Sequence, residues 1–207
     1  GTFYAQSMID GGTDFVNAPV AGGDLPTSRS MIFVSPDGER SMNTYLGIST
    51  DLGPADVPDA VASSAKIMFL EGYLFDKDQG KQAFLEASRL TRAAGGKAGI
   101  AISDPFCVDR HRDAFLDLVR NHVDILFANE QEICSLYQTD DFDTALKAAK
   151  QDCKIACLTR SEKGSVILSG DDMHVVPAES VAKVVDTTGA GDQYAAGFLY
   201  GYTQGYD

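Results

Sequence analysis

Strand-like and helix-like segments alternate along the chain from about residue 54, and this alternation restricts the fold more than any other feature of the sequence. Short apolar runs predict buried strands at 66–71, 97–103, 124–129 and 155–159. Amphipathic periodicity predicts helices at 78–94, 111–121, 131–137 and 142–151. Because parallel strands need crossover connections, the pattern predicts an α/β fold with a mostly parallel central sheet and helices on both faces.

The segments outside this alternation predict smaller elements. Residues 2–10 predict a short helix that ends at Gly11-Gly12. Runs at 28–35 and 40–46 flank the turn sequence Pro36-Asp37-Gly38-Glu39, so they predict a β-hairpin in a small separate sheet. The last predicted elements are an antiparallel pair at 164–169 and 173–176 and a helix at 190–201.

The charge balance excludes two classes of partner. The 17 basic and 30 acidic residues give a net charge of −13, and the acidic residues are dispersed along the chain. Such a surface repels nucleic-acid backbones and anionic lipid headgroups. The most apolar run, 67–70, stops at Glu71, so no segment is expected to span a membrane. We therefore expect no nucleic-acid partner and no membrane partner.

Cysteine usage and the amino-terminal residues indicate the compartment. The four cysteines form no Cys-x-x-Cys motif and no metal-ligand spacing with the histidines, so they predict small core residues in a reducing compartment. They are Cys107, Cys134, Cys153 and Cys157. Residues 1–6 lack the basic and apolar regions of a signal peptide. Together these features predict a cytoplasmic protein.

The densest chemical signal is Asp186-Thr-Thr-Gly-Ala-Gly-Asp192, which precedes an apolar helix. Glycines let the backbone turn and leave room for a ligand. The N–H groups of Gly189, Ala190 and Gly191 are predicted to point outward at a helix N-terminus, where they form an anion hole. A carboxylate at Asp192 repels a bound phosphate, but it is well suited to take a proton from a hydroxyl that attacks the phosphate.

Three other interpretations of this motif fit the sequence less well. A helix cap with permissive glycines explains Gly-x-Gly alone, but it does not explain Asp192 and the Asp186-Thr-Thr cap together. The chain has no Gly-x-x-x-x-Gly-Lys-Ser/Thr loop. The third glycine of a dinucleotide-binding fingerprint is replaced by Tyr194.

Polar residues also follow the predicted strands. Ligands of open α/β sheets bind beyond the carboxyl ends of the strands. At these ends the sequence has Asp104, Asn129 with Glu132, Thr159 with Ser161, and the segment from Asp186 onward. We expect the binding site to form where these groups meet.

Several motifs resemble those of the PfkB, or ribokinase-like, family of carbohydrate and nucleoside kinases. Residues 186–192 resemble its carboxy-terminal signature, and Asn129-Glu-Gln-Glu132 resembles its Asn-x-x-Glu motif. Thr159-Arg-Ser-Glu-Lys-Gly164 resembles its Thr-x-Gly-x-x-Gly loop, with Ser161 in place of the first glycine. Residues 36–47 resemble the lid hairpin of the bacterial adenosine-kinase-like branch. The resemblance covers essentially the whole chain.

The resemblance implies a fold. It implies a three-layer ribokinase-like α/β fold with a β lid hairpin at 20–50 and a kinase core at 1–19 and 51–207. Family members carry substrate motifs before the lid and further elements after the signature, so the resemblance implies that this chain is truncated at both ends and is the middle of a longer kinase.

The resemblance also implies an activity, in which the γ-phosphoryl group of ATP moves to a hydroxyl of a sugar or nucleoside, adenosine or ribose-like. It makes Asp192 the base and residues 189–191 the anion hole for the transferring group. Asn129 and Glu132 would organise Mg²⁺, with Glu132 binding it through water. The nucleotide would contact Asn129, Thr159, Ser161 and Gly164. A monovalent cation and a homodimer formed through the lid are further expectations.

Two alternatives stay open on the sequence. A catalytically silent relative would bind a nucleotide or metabolite as a sensor, although a pure binding protein gains nothing from a carboxylate at Asp192. Arg110 and Arg112 occupy a segment that matches the family pattern poorly. They either contact phosphate or form salt bridges on a helix surface.

Overall fold

The computed structural model describes residues 2–206, and its central feature is a six-stranded sheet whose spatial order follows the chain. The first four strands are mutually parallel and the last two are antiparallel to their neighbours. The strands are β3 (Ile67–Glu71), β4 (Lys97–Ala101), β5 (Ile125–Asn129), β6 (Ile155–Thr159), β7 (Ser165–Ser169) and β8 (Asp172–Val176). This topology confirms the predicted α/β fold with a sheet that is parallel over most of its strands.

Seven α-helices occur within residues 2–206. They are α1 (Thr2–Asp10), α2 (Asp59–Ser64), α3 (Asp78–Ala93), α4 (Pro105–Asp117), α5 (Glu130–Leu136), α6 (Phe142–Asp152) and α7 (Ala190–Gln204). The helix α2 and the 3₁₀ turns at 47–51, 54–56 and 72–76 were not predicted, because they are too short for a periodic pattern.

The helices cover the two faces of the sheet unequally. Strands that add in chain order through right-handed crossovers bring their helices back to the same side. Accordingly α3, α4, α5 and α6 pack on one face, around buried residues such as Phe84, Phe115 and Leu136. The other face is covered by α7, where Tyr194 and Phe198 pack against a cluster that contains Phe127.

Helix α4 differs from its predicted bounds. The apolar pattern predicted a start at His111, whereas the helix starts at Pro105. Asp104 caps it, because its Oδ1 accepts a hydrogen bond from the N–H of Cys107 at 2.7 Å, and proline is favourable in a first turn. The backbone leaves helical angles at His111 (φ −127°, ψ 24°), and this kink interrupts the periodicity on which the prediction depended.

The predicted hairpin forms a separate two-stranded sheet. Strands β1 (Arg29–Val34) and β2 (Arg40–Tyr45) are antiparallel, and Gly38 in the turn has a φ of +86°. Apolar side chains of the hairpin are exposed, including Met31 (58%) and Phe33 (64%). No other strand of the described residues pairs with this sheet.

The cysteines have the structural roles that the sequence predicts. All four are free thiols, with Cys107 and Cys157 buried and Cys134 and Cys153 packed at the edge of the core. Burial raises the pKa of Cys107 to about 11, so its thiol stays protonated at neutral pH. Across residues 2–206, no helix is both long enough and apolar enough to cross a bilayer.

Candidate active site

The predicted site residues converge at the carboxyl edge of the parallel strands. Asn129 and Thr159 are opposite each other in the register of β5 and β6. Helix α7 runs antiparallel to β3, since Lys66 Nζ at the start of β3 lies 3.5 Å from the carbonyl oxygen of Thr203 near the end of α7. The N-terminus of α7 therefore reaches the same edge, where the negative charge of Asp192 acts on Glu71 at the end of β3.

The loop before α7 has the backbone conformation of a ligand-binding turn. Gly189 has a left-handed φ of +76° and directly precedes the helix. The side chain of Asp186 accepts a hydrogen bond from the N–H of Thr188 at 2.8 Å. Hydrogen bonding with the Thr188 side chain, and then with its N–H, holds the pKa of Asp186 below its usual value. A Cβ atom at Gly191 would meet no atom within 4 Å, so the space on the side-chain side of this glycine is open.

The structure corrects one detail of the predicted anion hole. The N–H of Ala190 donates to the carbonyl oxygen of Thr187 at 3.2 Å, so it is not free. Within residues 2–206 no backbone acceptor pairs with the N–H groups of Gly189 and Gly191. The donors available to an anion are therefore these two glycine N–H groups, at the positive end of the helix dipole.

Asp192 lies in the first turn of α7 with an exposed side chain. Its Oδ2 lies 3.8 Å from the point that a Cβ atom of Gly189 would occupy, so the carboxylate lies close to the loop that carries the predicted anion hole. Among the described residues no lysine or arginine forms a salt bridge with it. The carboxylate is therefore free to accept a proton from a ligand held at the helix N-terminus.

Asn129 and Glu132 form a reciprocal cap at the start of α5. The Oδ1 of Asn129 accepts from the N–H of Glu132 at 2.8 Å, and the Oε2 of Glu132 accepts from the N–H of Asn129 at 2.9 Å. Glu132 is 8% exposed. Burial raises its pKa to about 7, the N–H bond from Asn129 opposes the rise, and the charges of Asp104 and Glu71 add to it.

Sequence reasoning missed three polar residues at this edge. Glu71 accepts a hydrogen bond from Ser103, and the hydroxyl of Tyr73 donates to the carbonyl oxygen of Ser103 at 3.3 Å. Burial raises the pKa of Tyr73 to about 12, with smaller effects from the charges of Asp104 and Glu71. The rule that ligands bind beyond strand ends would have found Glu71, which ends β3. Tyr73 and Ser103 lie in turns after β3 and β4, where the sequence has no periodic pattern that could have predicted their positions.

The acidic groups fit a magnesium ion that retains much of its water. No group of three or more His, Cys, Asp or Glu side chains within residues 2–206 is arranged to hold a metal ion by itself. Mg²⁺ commonly binds through one or two carboxylates, water and substrate phosphates, without a complete protein cage. The buried carboxylate of Glu132, with the charges of Asp104 and Glu71 nearby, gives a negative potential and oxygen donors of this kind.

The loop after β6 contains two residues with a left-handed backbone, Ser161 and Gly164. Ser161 has a φ of +51°, a left-handed value that favours glycine, at the position where the family pattern has one. Gly164 has a φ of +86°, and a Cβ atom there would lie 2.0 Å from the carbonyl oxygen of Val176. Serine therefore occupies a backbone region that favours glycine, at a cost in strain.

The hairpin contributes a cation to the signature loop. Arg40 Nη1 donates to Thr187 Oγ1 at 2.9 Å, and Thr187 Oγ1 donates to the carbonyl oxygen of Gly38 at 3.4 Å. The charge of Arg40 also contributes to the lowered pKa of Asp186. Sequence reasoning missed this residue, because a contact between positions 147 residues apart leaves no local pattern.

Arg110 and Arg112 form salt bridges on the helix surface. The guanidinium of Arg110 contacts Asp76 at 3.1 Å, and that of Arg112 contacts Asp109 and donates from Nε to the carbonyl oxygen of Ser135 at 3.1 Å. The structure therefore supports the surface interpretation of these two arginines.

Known proteins match this chain in sequence and in fold. The model of the pfkB family carbohydrate kinases matches residues 1–207. A crystal structure of a probable sugar kinase protein from Rhizobium etli is 51% identical, with a TM-score of 0.96, over 100% of this chain and 63% of that chain. An adenosine kinase from Sinorhizobium meliloti is 49% identical, with the same TM-score and the same coverage.

A more distant relative also matches most of this chain in sequence. Adenosine kinase from Saccharomyces cerevisiae is 28% identical over 198 residues, which is 89% of this chain and 57% of that protein. The chain thus spans less than two thirds of the length of these three relatives.

Proposed function

The chain belongs to the pfkB family of carbohydrate kinases, and we propose that the protein transfers the γ-phosphoryl group of ATP to a hydroxyl of a sugar or nucleoside. One observation carries the proposal. The exposed carboxylate of Asp192 lies in the first turn of α7 and close to Gly189, and among the described residues the N–H groups of Gly189 and Gly191 have no backbone acceptor. A carboxylate beside an anion site repels a bound anion, so it favours proton abstraction over simple binding.

Asp192 acts as the general base in this proposal. It takes the proton of the acceptor hydroxyl while the oxygen forms a bond to the γ-phosphorus and the bond to the β,γ-bridging oxygen breaks. ADP leaves with the electron pair of the broken bond, and the acceptor becomes a phosphate monoester. The N–H groups of Gly189 and Gly191 stabilise the charge that spreads over the transferring group.

The strand ends beside this loop bind the nucleotide. Thr159, Ser161 and Gly164 line it on one side, and Asn129 contacts it from the end of β5. Glu132 would hold Mg²⁺ through water, and Mg²⁺ would supply positive charge to the phosphates. Arg40 of the hairpin brings a further positive charge to the signature loop, through its contact with Thr187.

We infer that adenosine is the acceptor to test first. The Sinorhizobium meliloti adenosine kinase is 49% identical to this chain, and ribose-like acceptors remain within the proposal. Residues 20–50 act as a lid over the acceptor, and residues 1–19 and 51–207 form the kinase core. The exposed apolar side chains of the hairpin, such as Phe33, suit a homodimer formed through the lid. A monovalent cation is a further candidate cofactor.

Release of ADP tests the proposal. The full-length protein is incubated with MgATP and a panel of adenosine, other nucleosides, ribose and other sugars, and ADP is followed by a coupled assay. We expect acceptor-dependent ADP release, fastest with adenosine or a ribose-like acceptor. Tight binding of ATP or of an acceptor, without release above the rate of ATP alone, would contradict the proposal and favour a silent sensor.

A further inference from the structure

We infer that Arg160 is a positioning residue for the nucleotide, and that together with Glu130 and Phe142 it holds the loop 159–164 against α5 and α6. We call these three residues the Arg160 clasp. The inference rests on the proposed function, because it assigns to the clasp an effect on the affinity for MgATP.

The clasp is defined by short, directional contacts. Arg160 Nε lies 3.1 Å from Glu130 Oε2, and Arg160 Nη2 lies 2.9 Å from Glu130 Oε1, which is a bidentate pair. The guanidinium carbon lies 3.8 Å from the centre of the Phe142 ring, within the range of a cation–π contact. The hydrogen bond from Arg160, followed by its charge and that of Lys163, lowers the pKa of Glu130.

The position of the clasp joins two parts of the candidate site. Glu130 directly follows Asn129 and is the first residue of α5. Arg160 directly follows Thr159, which is opposite Asn129 in the register of β5 and β6. The clasp therefore fixes the distance between the helix that presents Glu132 and the loop that is proposed to bind the nucleotide.

The loop needs such support because of its strained serine. Ser161 has a φ of +51°, which lies in a backbone region that residues other than glycine rarely occupy. Arg160 precedes this residue, and its backbone N–H donates to the carbonyl oxygen of Gly164 at 2.8 Å. Lys163, at the other end of the turn, lies 3.5 Å from Glu130 Oε2. Glu130 thus binds both ends of the turn that contains the strained residue.

A simple surface ion pair is the competing explanation. Exposed ion pairs contribute little to stability, and such a pair would leave substrate affinity unchanged. The Arg160 and Glu130 side chains are only 24% and 31% exposed, and Phe142 is 6% exposed. The partly buried, planar geometry favours a specific role for arginine, which lysine cannot reproduce.

Kinetics of Arg160 variants in the full-length protein test the inference. Loss of the clasp lowers the population of the binding-competent loop, so Arg160→Leu is expected to raise the KM and the Kd for MgATP about tenfold. The KM for the acceptor is expected to stay within about twofold, because the acceptor does not contact this loop. Arg160→Lys is expected to recover only part of the loss.

Relief of the backbone strain at Ser161 provides a second test. It should restore affinity for MgATP if the clasp acts by holding this loop, but not if Arg160 only stabilises the fold. Glycine adopts a positive φ without strain, so Ser161→Gly in the Arg160→Leu background is expected to recover part of the affinity for MgATP. Arg89→Leu is the matched control, because Arg89 forms an equally bidentate pair with Glu86, at 2.8 and 2.7 Å, on the exposed surface of α3. This control is expected to leave both KM values unchanged.

The outcomes separate this inference from the function on which it rests. An active wild type with an Arg160→Leu variant whose KM for MgATP stays within about twofold would overturn the inference alone. Equal increases of both KM values, or no rescue by Ser161→Gly, would also overturn it. A wild type that neither binds MgATP nor releases ADP would overturn the proposed function and the inference together.

Discussion

At the scale of single residues, the signature loop depends on a side chain from a distant part of the chain. Arg40 reaches Thr187 from the hairpin at 2.9 Å, and it is exposed enough to turn toward a bound phosphate. We expect Arg40→Leu to lower kcat about tenfold or more, because it removes a positive charge beside the transferring group. Steady-state kinetics with saturating MgATP measure the change.

Two further variants sharpen the test of Arg40. Thr187→Val removes only the hydroxyl that anchors the guanidinium, so we expect a smaller loss. Arg29→Leu, on the neighbouring hairpin strand, changes the net charge equally and should leave kcat unchanged. Equal losses in the Arg29 and Arg40 variants would attribute the effect to overall charge and contradict a local role.

Local patterns predicted the backbone setting of several candidate site residues. The turn at Gly189, the carboxylate at Asp192 and the cap of Asn129 with Glu132 all lie within short segments, so local patterns predicted that these residues lie at helix starts. Glu71, Tyr73 and Arg40 come to the site through tertiary contacts. The pairing of the Ala190 N–H with Thr187 could not be predicted either, because it depends on the exact course of one turn.

At the scale of elements, Asp124 joins three of them at the amino edge of the sheet. Its carboxylate accepts from Lys154 Nζ at 2.7 Å and from the N–H of Ala98 at 3.1 Å, and Arg92 lies 3.4 Å away. Burial acts to raise its pKa, but these three groups outweigh it and lower the pKa below 3.8. The carboxylate therefore stabilises the fold above the unfolded-state pKa, and this contribution is lost as the pH falls through the lower folded-state pKa.

Asp124→Asn should reveal this contribution. We expect the variant to lose about 2 kcal/mol of unfolding free energy at pH 7, since a paired and buried charge is removed. The difference from the wild type should shrink below about pH 4, where the carboxyl of the unfolded chain begins to protonate, and should vanish once the pH has fallen through the lower folded-state pKa. Urea unfolding at several pH values measures it. Asp117→Asn, at an exposed carboxylate near His122, is the control and should change stability little.

Element bounds were predictable where one periodic pattern fills the element. The bounds of α3 and α6 agree with their amphipathic patterns within a residue, and the hairpin strands agree with their runs on both sides of the turn. The predicted start of α4 was wrong because the cap at Asp104 and Pro105 set its first turn, while the kink at His111 separates buried Cys107 and Val108 from the apolar pattern that follows.

At the scale of the whole molecule, the chain order of the strands explains where the site lies. The crossovers place α3 to α6 on one face, which leaves the other face for α7. Because α7 runs antiparallel to the parallel strands, its N-terminus meets their carboxyl ends. The alternation predicted the layers, but it could not predict which helix covers which face, because the spatial order of the strands is not encoded in local periodicity.

The central claim is that Asp192 is the base of a phosphotransfer reaction, and Asp192→Asn in the full-length protein tests it most directly. The substitution keeps the size of the side chain and removes its ability to accept a proton, while the N–H groups of Gly189 and Gly191 stay in place. We predict that kcat falls by about 10²–10⁴-fold while the Kd for MgATP stays within about threefold. A variant that keeps near-normal turnover with the best acceptor would contradict the claim.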